Sequence, residues 1–491
     1  MNQPCVSTEY DLLIRNATLI DGTGARPRQG DLAVAAGRIA QIAGPGRIAS
    51  RDAAMVVAAD GLVLAPGFID SHTHDDFAVM RAAAMRPKIT QGVTTVVVGN
   101  CGISGAPIRL EDSPPPPLNL LGDAEAFGFP RFADYAARLD AAAPVVNVAA
   151  LIGHGTLRVA AMADIRGRAT PAEIDRMRQA LAESLTAGAI GFSTGLFYPI
   201  NIGADADEVV ALAEVVAEYG GVYATHMRDE HAGVLDSLKE TFDTARRAKV
   251  PVVISHHKCA GPENWGRSRE TLPAIETAAR HQPVSLDAYP YIAGSTVLDP
   301  VHVKDGVRII ITWSADYPEM TGRDLAEIAA DWNCTRREAA ERLLPAGAIY
   351  FQMDEADVRR ILAFPLTMIG SDGLPNDRHP HPRLWGTFPR VLGHYVREVG
   401  LFTLEQAVHK MTGLTAQRFG LADRGLLREG YAADLVLFDA GKIRDTATYE
   451  QPIRESEGID SVYVNGTLAH KAGSRDLTAA GHLLHIAHRS N

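Results

Sequence analysis

Short apolar runs recur through the middle of the chain, separated by stretches long enough for helices. Eight such runs can be identified, at residues 64–70, 94–100, 145–153, 188–195, 221–226, 250–256, 283–289 and 366–372. Unbroken apolar runs are typical of parallel strands that are buried on both faces. Before the fourth run, Thr170, Pro171 and Glu173 are the start signal of a helix that ends before Gly188. Eight strand-helix units in series predict an α/β fold, a (β/α)8 TIM-like barrel.

An open doubly wound sheet is the competing architecture for such a series. A nucleotide-binding sheet of that kind would carry a glycine-rich fingerprint after its first strand. The sequence that follows the first run, "SHTHDD" at residues 71–76, contains no glycine. The pattern therefore favours the barrel.

The two ends of the chain differ from the middle. Residues 10–65 and 430–473 alternate short apolar runs with turn residues, which is typical of antiparallel strands. We expect a small β-sandwich domain built from residues 1–62 and 421–491, and a barrel over residues 63–420. Residues 291–360 are too long for a simple connection and contain a strand pattern and two amphipathic helices, so they predict an inserted lid subdomain over the barrel mouth.

Polar residues follow the apolar runs at the point where each run ends. They are His72 and His74 after the first run, Cys101, His154, His226, His256 and His257, Asp287 and Tyr289, and finally Asp372. All strands of a barrel end at one face, where active sites are built, so these residues are expected to converge. His72 and His74 project to the same side of an extended segment, which favours a metal-binding pair. A single histidine such as His154 is more often structural, and only one of the neighbours His256 and His257 is expected to enter the site.

Composition and charge narrow the class of partner. The 491 residues are 46% hydrophobic and 22% charged, and the net charge of −11 is not concentrated in any block. A nucleic-acid or anionic-membrane partner is therefore not expected, and a small molecule is.

The four cysteines are too scattered for a disulfide framework, and neither a secretory signal nor an apolar run near 18 residues is found. These features predict a cytoplasmic protein. Cys5, Cys259 and Cys334 are expected to be inert small apolar residues. Cys101 differs because it lies between glycines, where the backbone can approach a ligand closely.

Seven motifs together resemble one enzyme family. They are "GFIDSHTHDD", "GNCGISGAP", "THMRDE", "ISHHK", "DAYPY", "SDG" and "HPRLWGTFPRVLGHY". The chain is similar, from about residue 8 to residue 470, to the N-acyl-D-amino-acid deacylases, or D-aminoacylases, of the amidohydrolase superfamily. The resemblance implies zinc-dependent hydrolysis of an N-acyl-D-amino acid to a carboxylate and a free D-amino acid.

The resemblance also implies roles for individual residues. Cys101, His226 and His256 would hold a tightly bound Zn²⁺, a donor set that zinc prefers. His72, His74 and Asp372 would complete a weaker second metal site, and Asp372 would act as the general base. Many members of the superfamily bridge two metals with a carboxylated lysine on the fourth strand. The fourth run here, residues 188–195, contains no lysine, so Cys101 would supply the anionic ligand.

The substrate carboxylate needs a cationic partner. Arg383 can hold it with a planar fork, and the resemblance adds Lys258 and Tyr289, with Ser295 as a weaker addition for which a solvated surface position is the alternative. His257, Arg228 and Asp229 are candidates for orienting the zinc histidines.

Two other functions stay open from the sequence. A cyclic-amide hydrolase of the hydantoinase or dihydropyrimidinase type shares the fold and metal chemistry, but would ordinarily need the missing lysine. A non-catalytic metal-binding barrel would have lost a ligand or the base, and all these positions are filled. The sequence does not decide the preferred side chain, acyl group or handedness, or whether one metal or two are needed; a monomer is expected.

Overall fold

The computed structural model describes residues 8–486, so Cys5 lies outside the described part. Its strands are β1 Tyr10–Leu19, β2 Arg28–Ala35, β3 Arg38–Ala43, β4 Ala53–Ala58, β5 Val63–Pro66, β6 Phe68–Asp70, β7 Val93–Val98, β8 Ile108–Arg109, β9 Gly128–Phe129, β10 Asn147–Gly153, β11 Gly191–Gly195, β12 Val222–His226, β13 Val252–Ile254, β14 Val284–Ala288, β15 Gly294–Val297, β16 Arg308–Ser314, β17 Ala346–Phe351, β18 Thr367–Ile369, β19 Leu435–Phe438, β20 Ile459–Val464 and β21 Thr467–Lys471.

The α-helices follow the strands of the middle region for the most part. They are α1 Arg86–Ile89, α2 Phe132–Ala142, α3 His154–Ala161, α4 Pro171–Thr186, α5 Ala206–Glu218, α6 Val234–Ala248, α7 Ser268–Ala279, α8 Leu325–Asp331, α9 Arg336–Leu343, α10 Glu355–Ala363, α11 Arg383–Arg390, α12 Leu404–Met411 and α13 Gly413–Arg418; a π-helix, Val391–Glu398, continues α11. Helix α4 begins with the predicted capping box, in which Thr170 and Glu173 each accept the other's backbone N–H. None of the helices within residues 8–486 is both long enough and apolar enough to cross a membrane.

Eight parallel strands form the barrel. Their order is β6, β7, β10, β11, β12, β13, β14 and β18, each hydrogen-bonded to the next. Every one of the eight predicted apolar runs contributes one of these strands, and their residues are buried on both faces. The predicted α/β barrel is confirmed.

The barrel is nearly closed between its first and last strands. Across this seam, which we define as the junction of β6 and β18, the Ser71 amide donates to the Ile369 carbonyl over 3.4 Å, and the Asp372 amide donates to the His72 carbonyl over 2.8 Å. Thr73 and Gly373 form an isolated parallel bridge. A regular ladder between β6 and β18 is absent from the described residues, so few backbone bonds hold the seam together.

The N-terminal end of the barrel is filled by apolar side chains. Leu414 from α13, Phe419 and Leu484 pack against strand residues inside the barrel, including Leu151 and Met368. Residues 480–486, which the predicted boundary assigns to the β domain, lie against the start of β10: the Leu484 amide donates to the Val148 carbonyl over 2.7 Å. The barrel floor is therefore built from chain segments distant in sequence.

Both chain ends contribute to one eight-stranded sheet, as the alternating patterns predict. Its order is β21, β20, β19, β5, β1, β2 and β3, and β4 also pairs with the first half of β1. A register shift between Ile14 and Ala17 lets β1 pair with β4 before it and β5 after it. The boundaries given above for the domains stay a prediction.

The insertion between β14 and β18 forms a small layer over the barrel mouth. The predicted strand is β16, and the two predicted helices are α8 and α9. The sequence pattern missed β15 and β17. In the three-stranded sheet that results, β17 lies in the centre and pairs antiparallel with β15 on one side and β16 on the other. Both missed strands are short and begin at or beside glycine, which weakens a strand pattern.

Candidate active site

The loops at the strand ends bring the predicted polar residues together. Cys101, His256 and Asp372 have left-handed backbones, with φ of 54°, 34° and 49°. Non-glycine residues rarely adopt this conformation, and it is concentrated at functional sites, where surrounding structure enforces it. The three strained positions therefore mark the mouth of the barrel as the candidate site.

Cys101 occupies the centre of this site. Its Sγ lies 3.2 Å from His72 Nε2 and 3.2 Å from His256 Nε2. With His226, the thiol and His256 form a buried set whose donor atoms all lie within 4.8 Å of one another. Neither ring nitrogen of His226 has a hydrogen-bond partner within residues 8–486. A buried imidazole without a hydrogen-bond partner, next to a thiol and a second imidazole, is the arrangement that a soft cation such as zinc would satisfy.

The electrostatic environment favours a thiolate at Cys101. Burial by itself would raise the pKa of this thiol, but the neighbouring His72 and His256 lower it well below its usual range. The thiolate is the form that binds metals.

The glycines that flank Cys101 lie against neighbouring backbone, and not against a ligand as the sequence suggested. A Cβ on Gly99 would lie 2.0 Å from the Leu151 carbonyl oxygen, and Gly102 is similarly close to the backbone of Gly195. They fit Cys101 between strands, with no ligand needed to explain them.

A second group lies at the seam. His74 Nε2 is 3.1 Å and His72 Nε2 is 3.6 Å from Asp372 Oδ1. His72, His256 and Asp372 form another buried set of close donor atoms, as do His72, His74 and Cys101. The three donor sets therefore overlap, since His72, Cys101 and His256 each belong to two of them.

Two carboxylates lie next to the ring nitrogens of the histidines. The sequence did not indicate either of them as an orienting residue. Glu230 lies 3.1 Å from His256 Nδ1 and 3.5 Å from His226 Nε2, and Asp287 lies 3.3 Å from His72 Nδ1. Asp287 also accepts the His256 amide over 2.8 Å. A signal for Glu230 was present in "THMRDE", where it follows His226 by four residues.

The residues predicted to orient the histidines have other partners. Arg228 pairs with Glu240 at 2.8 Å, and Asp229 accepts backbone amides of its own loop, including that of His231. These two predictions are wrong because Arg228 and Asp229 bond to helix α6 and to the loop instead of to the zinc histidines. His257 lies 2.9 Å from Thr271 and is turned away from the site, while His154 pairs with Glu208 at 2.8 Å.

Arg383 is enclosed at one side of the site. Its Nη1 lies 2.8 Å from Asp372 Oδ2, its Nη2 donates to the Ser295 carbonyl over 3.0 Å, and its guanidinium carbon stands 4.5 Å from the centre of the Tyr289 ring. The side-chain hydroxyls of Tyr289 and Ser295 and the Nε of Arg383 have no hydrogen-bond partner within residues 8–486. Ser295 is 8% exposed, so the solvated alternative for this residue is wrong: β15 of the insertion carries it inward.

Lys258 is held by Glu230. Its ammonium donates to both carboxylate oxygens of Glu230 over 2.7 Å and lies 2.8 Å from His256 Nδ1. Burial would raise the pKa of Glu230, but Lys258 and His226 hold it well below its usual range. Lys258 is therefore coupled to the histidine cluster as well as facing the cavity.

A cavity of about 680 Å³ opens from this cluster beneath the insertion. Its inner wall includes His74, Cys101, His226, Glu230, His256, Lys258, Tyr289, Ser295 and Asp372. Arg383 is fully buried next to Asp372 and Tyr289 and is not itself part of the wall. Its outer wall is mostly apolar and includes Phe197, Ile202, Leu298, Leu344 and Leu374. Lys258 is the one lysine or arginine among the described residues that line it. The volume lies in the range of pockets that enclose a small organic molecule.

A model of the amidohydrolase family matches residues 55–331 and 326–470. The chain belongs to the amidohydrolase family. The two matched segments overlap within α8 of the insertion, and together they cover the barrel and the strands β5, β19 and β20 of the β domain.

Three relatives from Alcaligenes xylosoxydans xylosoxydans match nearly the whole chain. The chain is 55% identical to a D-aminoacylase over 94% of each chain. It is 52% identical to an N-acyl-D-aspartate deacylase, over 93% of this chain and 91% of the relative. It is 47% identical to an N-acyl-D-glutamate deacylase, over 96% of this chain and 98% of the relative.

Solved structures agree with this placement. A crystal structure of D-aminoacylase superposes with a TM-score of 0.94 at 52% identity, covering 97% of this chain and all of that one. The N-acyl-D-glutamate deacylase from Bordetella bronchiseptica, in complex with zinc and a phosphonate mimic of the tetrahedral intermediate, has a TM-score of 0.93 at 47% identity, with the same coverage. An L-hydantoinase from Arthrobacter aurescens, with a TM-score of 0.59 at 15% identity, shares the fold alone.

Proposed function

We propose that this protein hydrolyses the amide bond of N-acyl-D-amino acids, releasing a carboxylate and a free D-amino acid. The observation that carries the proposal is the placement of two unsatisfied groups at one cavity. Cys101, His226 and His256 present a buried set of metal donors, and Tyr289 and Ser295 present hydroxyls without partners in the described residues. A metal and a carboxylate-bearing amide would satisfy both groups.

The donor set fits zinc. Cys101 is held as a thiolate, and Glu230 can accept the Nδ1 hydrogen of His256, which leaves the other ring nitrogen free for a metal. Zinc bound by these three residues would polarise the acyl carbonyl and lower the pKa of a bound water to about 7. We place the tight Zn²⁺ at Cys101, His226 and His256, and a weaker second ion at His72, His74 and Asp372.

Asp372 is the proposed general base. Burial would raise the pKa of its carboxyl, but Arg383 and His72 hold that pKa well below its usual range, so the carboxylate is ionised and can accept a proton at neutral pH. A low pKa also makes a weak base. A substrate carboxylate beside Arg383 would share the guanidinium charge and increase the proton affinity of Asp372. Asp372 would then return the proton to the departing amine.

The substrate carboxylate is proposed to bind at Arg383. The free Nε–H of Arg383 and the hydroxyls of Tyr289 and Ser295 are buried donors without partners in the described residues, and burial raises the pKa of the Tyr289 hydroxyl so that it stays a donor. Lys258 also lines the cavity, with its ammonium paired to Glu230. These groups would fix the amino-acid end of the substrate and leave the acyl carbonyl beside the metal donors.

We propose a preference for apolar D-amino acid side chains. An acidic side chain would bring a second carboxylate, and the lining of the cavity in the described residues offers no arginine or lysine beyond Lys258. His231 and His302 also line it, but burial lowers the pKa of both rings, which leaves them neutral. Burying an unpaired charge there would be unfavourable. The names of two relatives specify an acidic amino acid and the name of the third specifies none, so the proposed preference is supported by the apolar wall of the cavity alone.

A substrate screen tests the proposal. Purified protein with added Zn²⁺ is assayed with N-acetyl derivatives of D- and L-methionine, leucine, aspartate and glutamate, and release of the free amino acid is measured. We expect turnover of the D-methionine and D-leucine derivatives and little turnover of the L forms. Faster turnover of hydantoin or dihydrouracil than of every N-acyl amino acid would contradict the deacylase and favour the cyclic-amide hydrolase, although β11 contains no bridging lysine.

The carboxylate clamp, by which we mean Arg383 with Lys258, Tyr289 and Ser295, has a separate test. N-acetyl-D-leucine is compared with its C-terminal amide in wild type and in Arg383→Met. The wild type should prefer the acid. In the variant, the KM for the acid should rise about 30-fold or more while the KM for the amide changes little, because truncating one partner of a buried charge pair costs at least about 2 kcal/mol. An unchanged acid-to-amide ratio would remove Arg383 from the clamp.

Cys101 and Cys259 are free and buried, which suits a reducing compartment, so we propose a cytoplasmic monomer acting on a small molecule, without a nucleic-acid or membrane partner. Gel filtration with light scattering would check the monomer.

A further inference from the structure

We propose that Lys88 is a positioning residue that holds the two sides of the barrel seam at the catalytic distance. The inference rests on the proposed function, since it concerns where His72, His74 and Asp372 stand for that reaction. Lys88 lies in the short helix α1 and touches none of the metal donors. Its ammonium is fully buried and bonds to residues from both sides of the seam.

The partners of Lys88 are the residues that precede the site. Its Nζ donates to Asp70 Oδ2 over 2.8 Å and to Ser371 Oγ over 2.7 Å, and lies 3.3 Å from Asp75 Oδ2. Asp70 ends β6, two residues before His72, and Ser371 immediately precedes Asp372. One ammonium therefore joins the loop that carries the histidines to the loop that carries the proposed base.

Further bonds extend this connection into the backbone. Asp70 Oδ1 accepts the Ser371 amide over 2.7 Å and the His72 amide over 3.4 Å. Ser371 Oγ accepts the Gly373 amide over 3.2 Å. The bond from Ser371 to Asp70 crosses the seam where a regular strand ladder is missing, and the other two bonds fix the loop on each side. The buried ion cluster therefore links the two strands in place of ladder bonds.

The charge of the cluster argues for a specific arrangement. Burial would lower the pKa of Lys88, but Asp70 and Asp75 raise it above its usual value, so a positive charge faces two carboxylates. Asp70, Asp75 and Ser371 are fully buried as well. A buried ion cluster is weak evidence for stability and is better attested as a device that selects one arrangement.

Gly370 makes the arrangement tight. A Cβ at this position would lie 2.6 Å from the Cβ of His72, so the two loops approach each other as closely as their backbones allow. A displacement of about 1 Å at a catalytic group can cost roughly 100-fold in rate. The seam is therefore the part of the site where small movements matter most.

The chain offers a matched control. Lys410 is also a buried lysine, and its ammonium donates to the carbonyls of Phe364 and Thr367 at the opposite, N-terminal end of β18. Lys410 lies in α12, and burial lowers its pKa to about 7, so replacing it removes a buried lysine that contacts β18 far from the reacting groups. A general effect of losing a buried lysine would appear in both variants.

The experiment compares Lys88→Met, Ser371→Ala and Lys410→Met with wild type on the best N-acyl-D-amino acid. For Lys88→Met we expect kcat to fall roughly 100-fold with KM within about threefold, because the Arg383 clamp is intact, and with tight zinc retained. Ser371→Ala should lose roughly tenfold in kcat. Lys410→Met should keep both constants although its melting temperature falls.

Hydrogen exchange gives a readout that does not depend on activity. Amides of Ser371, Asp372 and Gly373 should exchange faster in Lys88→Met, while amides of β12 keep their protection. Any one of three results for a folded Lys88→Met protein overturns the proposal. They are a kcat within threefold of wild type, a change of kcat and KM together, and unchanged hydrogen exchange at the seam. If Lys88→Met does not fold, Ser371→Ala decides, and a kcat within twofold of wild type overturns it. A wild type without deacylase activity would reject the proposed function instead, and seam exchange in Lys88→Met would still test the positioning.

Discussion

The two ends of the barrel are built on opposite principles. At the floor, Leu414, Phe419 and Leu484 close the interior with apolar contacts. At the mouth, Cys101 and Asp372 have left-handed backbones, and several buried polar atoms of the mouth have no partner within residues 8–486.

The difference separates stability from function. Apolar burial at the floor stabilises the fold by about 1.5–3 kcal/mol for each large side chain. Strained residues and unpaired polar groups at the mouth lower stability, and persist because the surrounding fold enforces them. Substitutions at the floor should therefore change stability alone, and substitutions at the mouth should change metal binding and rate.

The largest expected effect is at the centre of the mouth. Cys101→Ser should lose the tight zinc and reduce activity to background, because a serine hydroxyl is a poor zinc donor at neutral pH. Metal analysis after gel filtration measures the loss. Cys259→Ser is the control, a buried cysteine whose raised pKa makes it inert; it should keep zinc and activity. A full zinc complement in Cys101→Ser would place the tight site elsewhere.

The next largest effect is expected at Asp372, the proposed general base. Asp372→Asn should lower kcat by about 10²–10⁴-fold, the usual contribution of a general base, while zinc stays at Cys101, His226 and His256. Steady-state kinetics and metal analysis on the same preparation check this. Near-normal turnover with zinc bound would show that another group removes the water proton.

The floor should respond in stability alone. Phe419→Ala removes a side chain that is 1% exposed and should reduce the free energy of unfolding by about 3–5 kcal/mol. Urea denaturation measures this, and kcat and KM at a temperature where the variant is folded should match wild type. A changed kcat in the folded variant would mean that the two ends are coupled.

The smallest effect concerns pH. Burial raises the pKa of Asp377 from 3.8 to about 7, although Thr312 and Arg383 oppose the shift. Because the pKa of Asp377 is higher in the folded state than in the unfolded state, the folded state holds the proton more tightly. The stabilisation of the folded state by this proton is fully present below about pH 4 and is lost as the pH rises through 7. The free energy of unfolding of Asp377→Asn minus that of wild type should therefore be larger at pH 8 than at pH 5. Urea midpoints at both values test this, and an equal difference at both would contradict it.

The barrel could be predicted from the sequence because each strand is apolar on both faces. Runs such as residues 250–256 carry that information locally. The strands β15 and β17 escaped because their apolar contacts come from separate elements: Ala348 of β17 packs in one cluster with residues of α8 and α9, and Val297 of β15 packs against the cluster that contains Cys101. The candidate donors Cys101, His226 and Asp372 were visible because their positions at strand ends follow from the barrel itself.

The orienting partners were harder to predict. Arg228 and Asp229 stand next to Glu230 in sequence, and only Glu230 faces the histidines. The position of Ser295 depends on an inserted sheet, and the pairing of Arg383 with Asp372 joins residues from two loops. A contact of this kind depends on which side chains from separate elements come within a few ångströms.

The sequence by itself determined the eight strands, the types of donor residue and the end of the barrel where they lie. Burial on both faces is a property of local composition, and a barrel then sends every strand end to one face. Tertiary structure alone decided which polar groups are paired, which are left for a ligand, and how a single buried lysine joins the first strand to the last. Those outcomes depend on distances across the fold, because the energy of a buried charge is set by the partner that reaches it.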